Sequence, residues 1–142
     1  MDGVRMKKTA SEIKHLLNMR KSWADNRRQC WVCGATHHAG FPLETHEMER
    51  KSQAPHHAWA KEENYFRACK KCHMDDLAAM PHAKQLAYKY IHDILHYDLE
   101  SWLRIKDPEL RAPNRVTEDE VMEYVHELVM EGNCGHNNTV ST

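Results

Sequence analysis

Two Cys-x-x-Cys pairs, Cys30-Trp31-Val32-Cys33 and Cys69-Lys70-Lys71-Cys72, constrain this chain more than any other feature. Each pair brackets a turn, and two such turns can set four thiolates around one tetrahedral Zn²⁺. The 35 residues between the pairs would then form a loop closed by metal, with its polar side chains held at fixed distances from the ion. A unit of about forty residues seldom builds a sufficient core without such a clamp. Disulfides are the competing use of paired cysteines. The chain opens polar and basic, Met1-Asp-Gly-Val-Arg-Met-Lys-Lys8, with no secretory leader pattern. The expected compartment is therefore a reducing cytoplasm, where paired cysteines hold metal more often than they form disulfides.

Length and charge narrow the class further. The 142 residues suit one domain, or one small module with helical extensions. No apolar run approaches the roughly 20 residues that span a bilayer, so no membrane partner is expected. The net charge of −1 conceals an asymmetry. Residues 1–29 hold eight Lys or Arg against three Asp or Glu, whereas residues 74–142 hold six against thirteen. The basic third could face phosphates, or be the solvated side of an amphipathic helix. The acidic C-terminal helices could dock a partner protein.

Periodicity and capping signals give the expected elements. Thr9-Ala-Ser-Glu12 is a capping box for a helix over 10–27, whose last cations, Arg27 and Arg28, suit the helix dipole. Cys30 to Gly34 reads as a zinc-knuckle turn. Residues 43–49 read as a strand with Glu44, His46 and Met48 on one face and Thr45, Glu47 and Glu49 on the other. Residues 51–62 form a loop anchored by Trp59, and Asn64 to Cys69 a second strand. A helix is expected to begin at His73, with Asp75 and Asp76 in its first turn. Pro81 interrupts it, and residues 82–92 continue with Ala83, Leu86, Ala87, Tyr90 and Ile91 inward. A short helix over 98–105 and a capped helix from Thr117 to about 130 complete the order. The divisions expected are 1–29, 30–80, 81–131 and a polar tail over 132–142, where Cys134 and His136 read as incidental.

Strand, loop, strand and helix make a ββα arrangement, giving a small, mostly helical α+β fold flanked by N-terminal and C-terminal helices. Along it run Glu44-Thr45-His46-Glu47, then Asn64, then Cys69-x-x-Cys72-His73. This order resembles the HNH endonuclease family, in the branch whose ββα unit is tied by a four-cysteine zinc. That branch typically reads C-x-x-C, E-x-H-H-I, N-L-x-x-L-C-x-x-C-H. The segment from His46 to Cys69 also resembles small HNH proteins of bacteriophages. The resemblance covers residues 30–73 and implies hydrolysis or nicking of DNA with one divalent cation, Mg²⁺ or Mn²⁺, beside a structural zinc.

Carried over residue by residue, the family's first histidine falls on His46, its asparagine on Asn64 and its last histidine on His73. The second histidine of the pair falls on Glu47, which is a departure. Two role assignments stay open. His46 is a cation ligand with Glu47 as base or second ligand, or His46 is the base and Glu44 or Glu47 holds the cation. A carboxylate suits a hard cation and a neutral imidazole suits a base near pH 7. Arg50, Lys51, Arg67, Lys70 and Lys71 are candidate phosphate contacts, as are the loop histidines His56 and His57. A catalytically silent ββα zinc module that binds DNA or a partner protein is the competing reading.

Overall fold

The computed structural model describes residues 9–36, 42–51, 57–113 and 115–132. The histidines His37, His38 and His56, the pair Cys134 and His136, and most of the polar tail lie outside the described residues. Among the described residues the fold is α+β and mostly helical, with five α-helices and one two-stranded antiparallel sheet. No helix among them is long and apolar enough to cross a membrane.

Helix α1 spans Ala10–Asp25 and opens with the expected capping box, the Thr9 hydroxyl accepting from the Glu12 amide and Glu12 from the Thr9 amide. It stops at Asp25, short of the expected end. Arg27 therefore lies beyond the helix, where it donates to the Trp23 carbonyl and pairs with Asp93. The sheet pairs β1, Leu43–Glu47, with β2, Tyr65–Cys69. Register sets His46 opposite Phe66 and Glu44 opposite Ala68, so these four share one face. Thr45, Glu47, Tyr65 and Arg67 share the other. Asn64 is not a strand residue; it closes a 3₁₀ turn over Glu62–Asn64.

Helix α2, Lys70–Asp75, starts earlier than expected, because the Cys69 sulfur itself caps it by accepting the Cys72 amide. His73 consequently sits in its last turn, and Asp75 and Asp76 lie at its C-terminal end rather than its first turn. Helices α3, His82–His92, α4, Leu99–Lys106, and α5, Glu118–Met130, follow. Pro81 is the N-cap of α3, and Thr117 with Glu120 forms the capping box of α5.

The sheet is covered on both faces, which is why Tyr65 and Phe66 are both buried. Trp23 of α1 packs on Tyr65, and Tyr88 of α3 packs on Phe66. One apolar cluster runs from Trp23 through Trp31, Phe66, Leu86 and Trp102 to Leu128. Gln85 and Lys89 of α3 are buried in it although polar. The Lys89 ammonium donates to the Glu62 and Tyr65 carbonyls and to Asp93, beneath the Trp23 ring. Burial pushes Lys89 down to about 8 despite Asp93. Burial opposes the Asp93 charge too, but Lys89 and Arg27 outweigh it and hold that carboxyl at about 2.

Candidate active site and metal centre

The first knuckle is shaped by its backbone. The Gly34 amide donates to the Cys30 carbonyl and the Cys30 amide to that of Ala35. Gly34 adopts φ +80, a left-handed conformation that costs glycine no side-chain clash. The Cys33 amide approaches the Cys30 sulfur at 3.5 Å, and the Cys72 amide approaches Cys69 at the same distance. The Trp31 amide then donates to the Arg67 carbonyl, fastening the first knuckle to β2. All four sulfurs lie within 4.8 Å of one another, and Cys33 to Cys69 is 3.8 Å. Bonds of about 2.3 Å to a tetrahedral zinc place sulfurs about 3.8 Å apart. None of the four is in a disulfide. Burial, and then the charge on Cys30, pushes the Cys72 thiol up. Such a cluster ionises fully only with a cation among the sulfurs, so the donor set fits zinc.

On the near side of the same hairpin, β1 and α2 bring two histidines together. His46 Nδ1 and His73 Nε2 are 3.1 Å apart. His73 Nδ1 is 2.7 Å from Glu44 Oε1, and His46 Nε2 is 3.0 Å from Gln85 Oε1. The result is a chain of contacts Glu44–His73–His46–Gln85 across one sheet face. Both imidazoles line a cleft of about 700 Å³, with Arg50 and Lys51 of the following turn and His82 and Gln85 of α3. Burial, and then the charge of His73, lowers His46 to about 4, so the ring is neutral near pH 7. His82 donates from Nε2 to the Met48 carbonyl, and burial lowers it as well.

Other expected residues are placed elsewhere. Glu47 borders the cleft, but its carboxylate accepts from Arg20 of α1 at 2.7 Å. Asn64 is fully buried and spends every hydrogen bond internally. Its oxygen accepts from the Glu49 amide and the Trp102 indole; its nitrogen donates to the Glu49 and Trp59 carbonyls. Asn64 therefore staples the chain after β1 to the turn before β2 and does not line the cleft. Arg67 lies on the opposite face, donating to the Arg27 carbonyl and the Thr45 hydroxyl. Lys71 pairs loosely with Asp75 on the exposed side of α2, and His57 packs near Trp59. Among the described residues, only the four cysteines gather three or more metal-ligating atoms.

Sequence reasoning missed Gln85 and His82. A signal was present: His82, Gln85, Lys89 and Asp93 form a polar row beside the apolar stripe of α3. Such a row ordinarily reads as a solvated edge. Here it lies against the hairpin, and its polar atoms find partners there.

No family model, curated protein or solved structure matches this chain.

Proposed function

We propose that this chain is a divalent-cation-dependent DNA endonuclease of the HNH type, with a structural zinc in its four-cysteine cluster. One observation carries the reading: two imidazoles 3.1 Å apart, from β1 and α2, line a cleft that also holds Arg50 and Lys51, beside a hairpin whose far end gathers four sulfurs. Zinc held by the sulfurs would tie the first knuckle to the start of α2 and so fix His73 relative to β1. That role is structural.

In the cleft, His46 Nδ1 would accept the proton of the attacking water, and a bound cation would take the His73 Nε2 lone pair, which otherwise faces His46 Nδ1 at 3.1 Å. Glu44 orients His73 through its Nδ1–H. Arg50 and Lys51 supply positive charge for the phosphates on either side of the scissile bond. When bound, a divalent cation would supply neutralisation of the charge that builds on phosphorus and on the leaving oxygen. One or two protein ligands suffice for such an ion, because water and phosphate oxygens complete its shell. An imidazole donor favours Mn²⁺ over Mg²⁺. Glu47, paired with Arg20, is the less suitable base.

One observation favours a second reading, a catalytically silent ββα module that binds DNA or a partner. Of the four positions carried from the family motif, Glu47 is ion-paired with Arg20 and Asn64 is internally saturated. A plasmid-nicking assay with Mn²⁺ or Mg²⁺, between about pH 6 and about pH 9, separates the two. The nuclease reading expects nicking, reduced about 10²- to 10⁴-fold in His46→Ala. No cleavage by the intact protein with either cation overturns it. DNA retardation that disappears at high salt would then identify the silent module.

A further inference from the structure

The contacts of Gln85 go beyond the resemblance, which ends at residue 73. Gln85 is 3 % exposed and lies in the first turn of α3, a helix outside the ββα unit. Its amide nitrogen donates to the Met80 carbonyl at 2.9 Å. A carbonyl only accepts, so the amide cannot be reversed without setting two oxygens against each other. The remaining group, Oε1, therefore faces His46 Nε2 at 3.0 Å. It too only accepts, so Nε2 carries the ring proton. A neutral imidazole has one N–H, which leaves Nδ1 as the bare nitrogen. That nitrogen is the one directed at His73.

We infer that Gln85 is a positioning residue: anchored on Met80, it fixes His46 in the tautomer whose Nδ1 lone pair points toward His73 and the cleft. Its structural part stands on hydrogen-bond geometry alone; its consequence for catalysis rests on the nuclease reading above. With the other tautomer, His46 would present an N–H where a base must present a lone pair. Helix α3 is thus part of the site, and the 81–131 segment does more than cover the hairpin.

Long-range ¹H–¹⁵N correlation of the histidine rings in the zinc-loaded protein tests this directly. The expected pattern for His46 is a protonated Nε2 and a bare Nδ1. In Gln85→Leu, which removes the acceptor, a mixture of tautomers is expected. In Gln85→Glu, whose buried carboxyl in its protonated form keeps both an acceptor for His46 and a donor for the Met80 carbonyl, the wild-type tautomer should return. Nicking should follow the same order. A fall of about ten- to hundredfold in kcat at unchanged KM is expected in Gln85→Leu, with recovery in Gln85→Glu. A wild-type His46 protonated on Nδ1 overturns the inference, and so does an unaltered tautomer in a folded Gln85→Leu. Should Gln85→Leu fail to fold, the wild-type spectrum and Gln85→Glu still decide. If the protein nicks no DNA but the tautomer responds as expected, the nuclease reading fails while the role of Gln85 stands.

Discussion

The two ends of the β hairpin are held by different chemistry. At the Leu43–Cys69 end, four sulfurs from two knuckles converge, a donor set that fits a shared cation. At the Glu47–Tyr65 end no ion is needed. Asn64 fills a buried slot between Glu49, Trp59 and Trp102, and Lys89 reaches across from α3 to two carbonyls of the turn. The first end offers a metal its ligands, and the second does not. The histidine pair lies between them, on β1 and α2, so both ends bear on its geometry.

The largest expected effect separates the ends. Chelation of the zinc, or Cys30→Ser, should release the knuckle end, because structural zinc of this kind contributes on the order of 10 kcal/mol. The part of the apolar cluster supplied by α3, α4 and α5, with Leu86, Trp102, Val121 and Leu128, contains no sulfur ligand and should persist. Hydrogen exchange is the suitable measurement. The Cys33 and Cys72 amides, which face sulfurs, should lose protection, while amides within α3 and α5 keep most of theirs. Uniform loss of protection would break the comparison and show a single cooperative unit.

Next in size is the ion pair behind the metal-free end. Asp93→Asn leaves the Lys89 ammonium buried without its counter-charge, beside Arg27, and should cost about 3–5 kcal/mol. Zinc content should not change. A denaturant titration with parallel metal analysis checks both halves of the statement, and zinc loss in the folded variant would show that the ends communicate.

How much of this was legible in the sequence follows the same division. The knuckle end was legible because its code is local: Cys-x-x-Cys states both ligands and turn within four residues. The capping boxes at Thr9 and Thr117 were legible for the same reason, as was the alternation of Glu44 and His46 against Thr45 and Glu47. The other end was not. The partners of Asn64 lie at Glu49, Trp59 and Trp102, and those of Lys89 at Glu62, Tyr65 and Asp93. Only tertiary packing brings most of these together. The start of α2 was misplaced at His73 because cysteine is a rare cap; here the chain bends to bring Cys69 to the cluster. Of the candidate site, His46, Glu47, Arg50, Lys51 and His73 are named from sequence and line the cleft. Gln85 and His82 are not, because a polar row on a helix carries no sign of which neighbour will cover it.

Asn64 offers a sharper contrast between scaffold and ligand. Asn64→Asp preserves shape and both accepting contacts but removes two donors and sets a carboxylate against the Glu49 and Trp59 carbonyls. If Asn64 is scaffold, the variant should lose about 3 kcal/mol with no gain in Mn²⁺ affinity. A cation ligand would behave in the opposite sense, since a carboxylate binds hard cations better than an amide does. Thermal melting and a Mn²⁺ titration on one sample distinguish the two, and tighter Mn²⁺ binding at little cost in stability would move Asn64 into the cation site.

The smallest effect is a pH dependence confined to the metal-free end. Asp93 titrates at about 2 in the folded chain against an ordinary value of 3.8. Between these values the unfolded chain binds a proton that the folded chain does not, so stability rises with pH across this window. Read the other way, the stabilisation from the Asp93 charge is complete above about pH 4 and is lost as pH falls toward 2. The shift corresponds to about 2 kcal/mol. Acid also strips thiolate-bound zinc, but that loss is common to the wild type and to Asp93→Asn. The informative quantity is therefore the difference in stability between the two proteins, measured in chelator so that the knuckle end is released in both. It should be constant above about pH 5 and shrink by about 2 kcal/mol toward pH 2. A difference that does not change over this range would mean that the Asp93 charge adds nothing at that end, and that Lys89 is held there by its carbonyl partners alone.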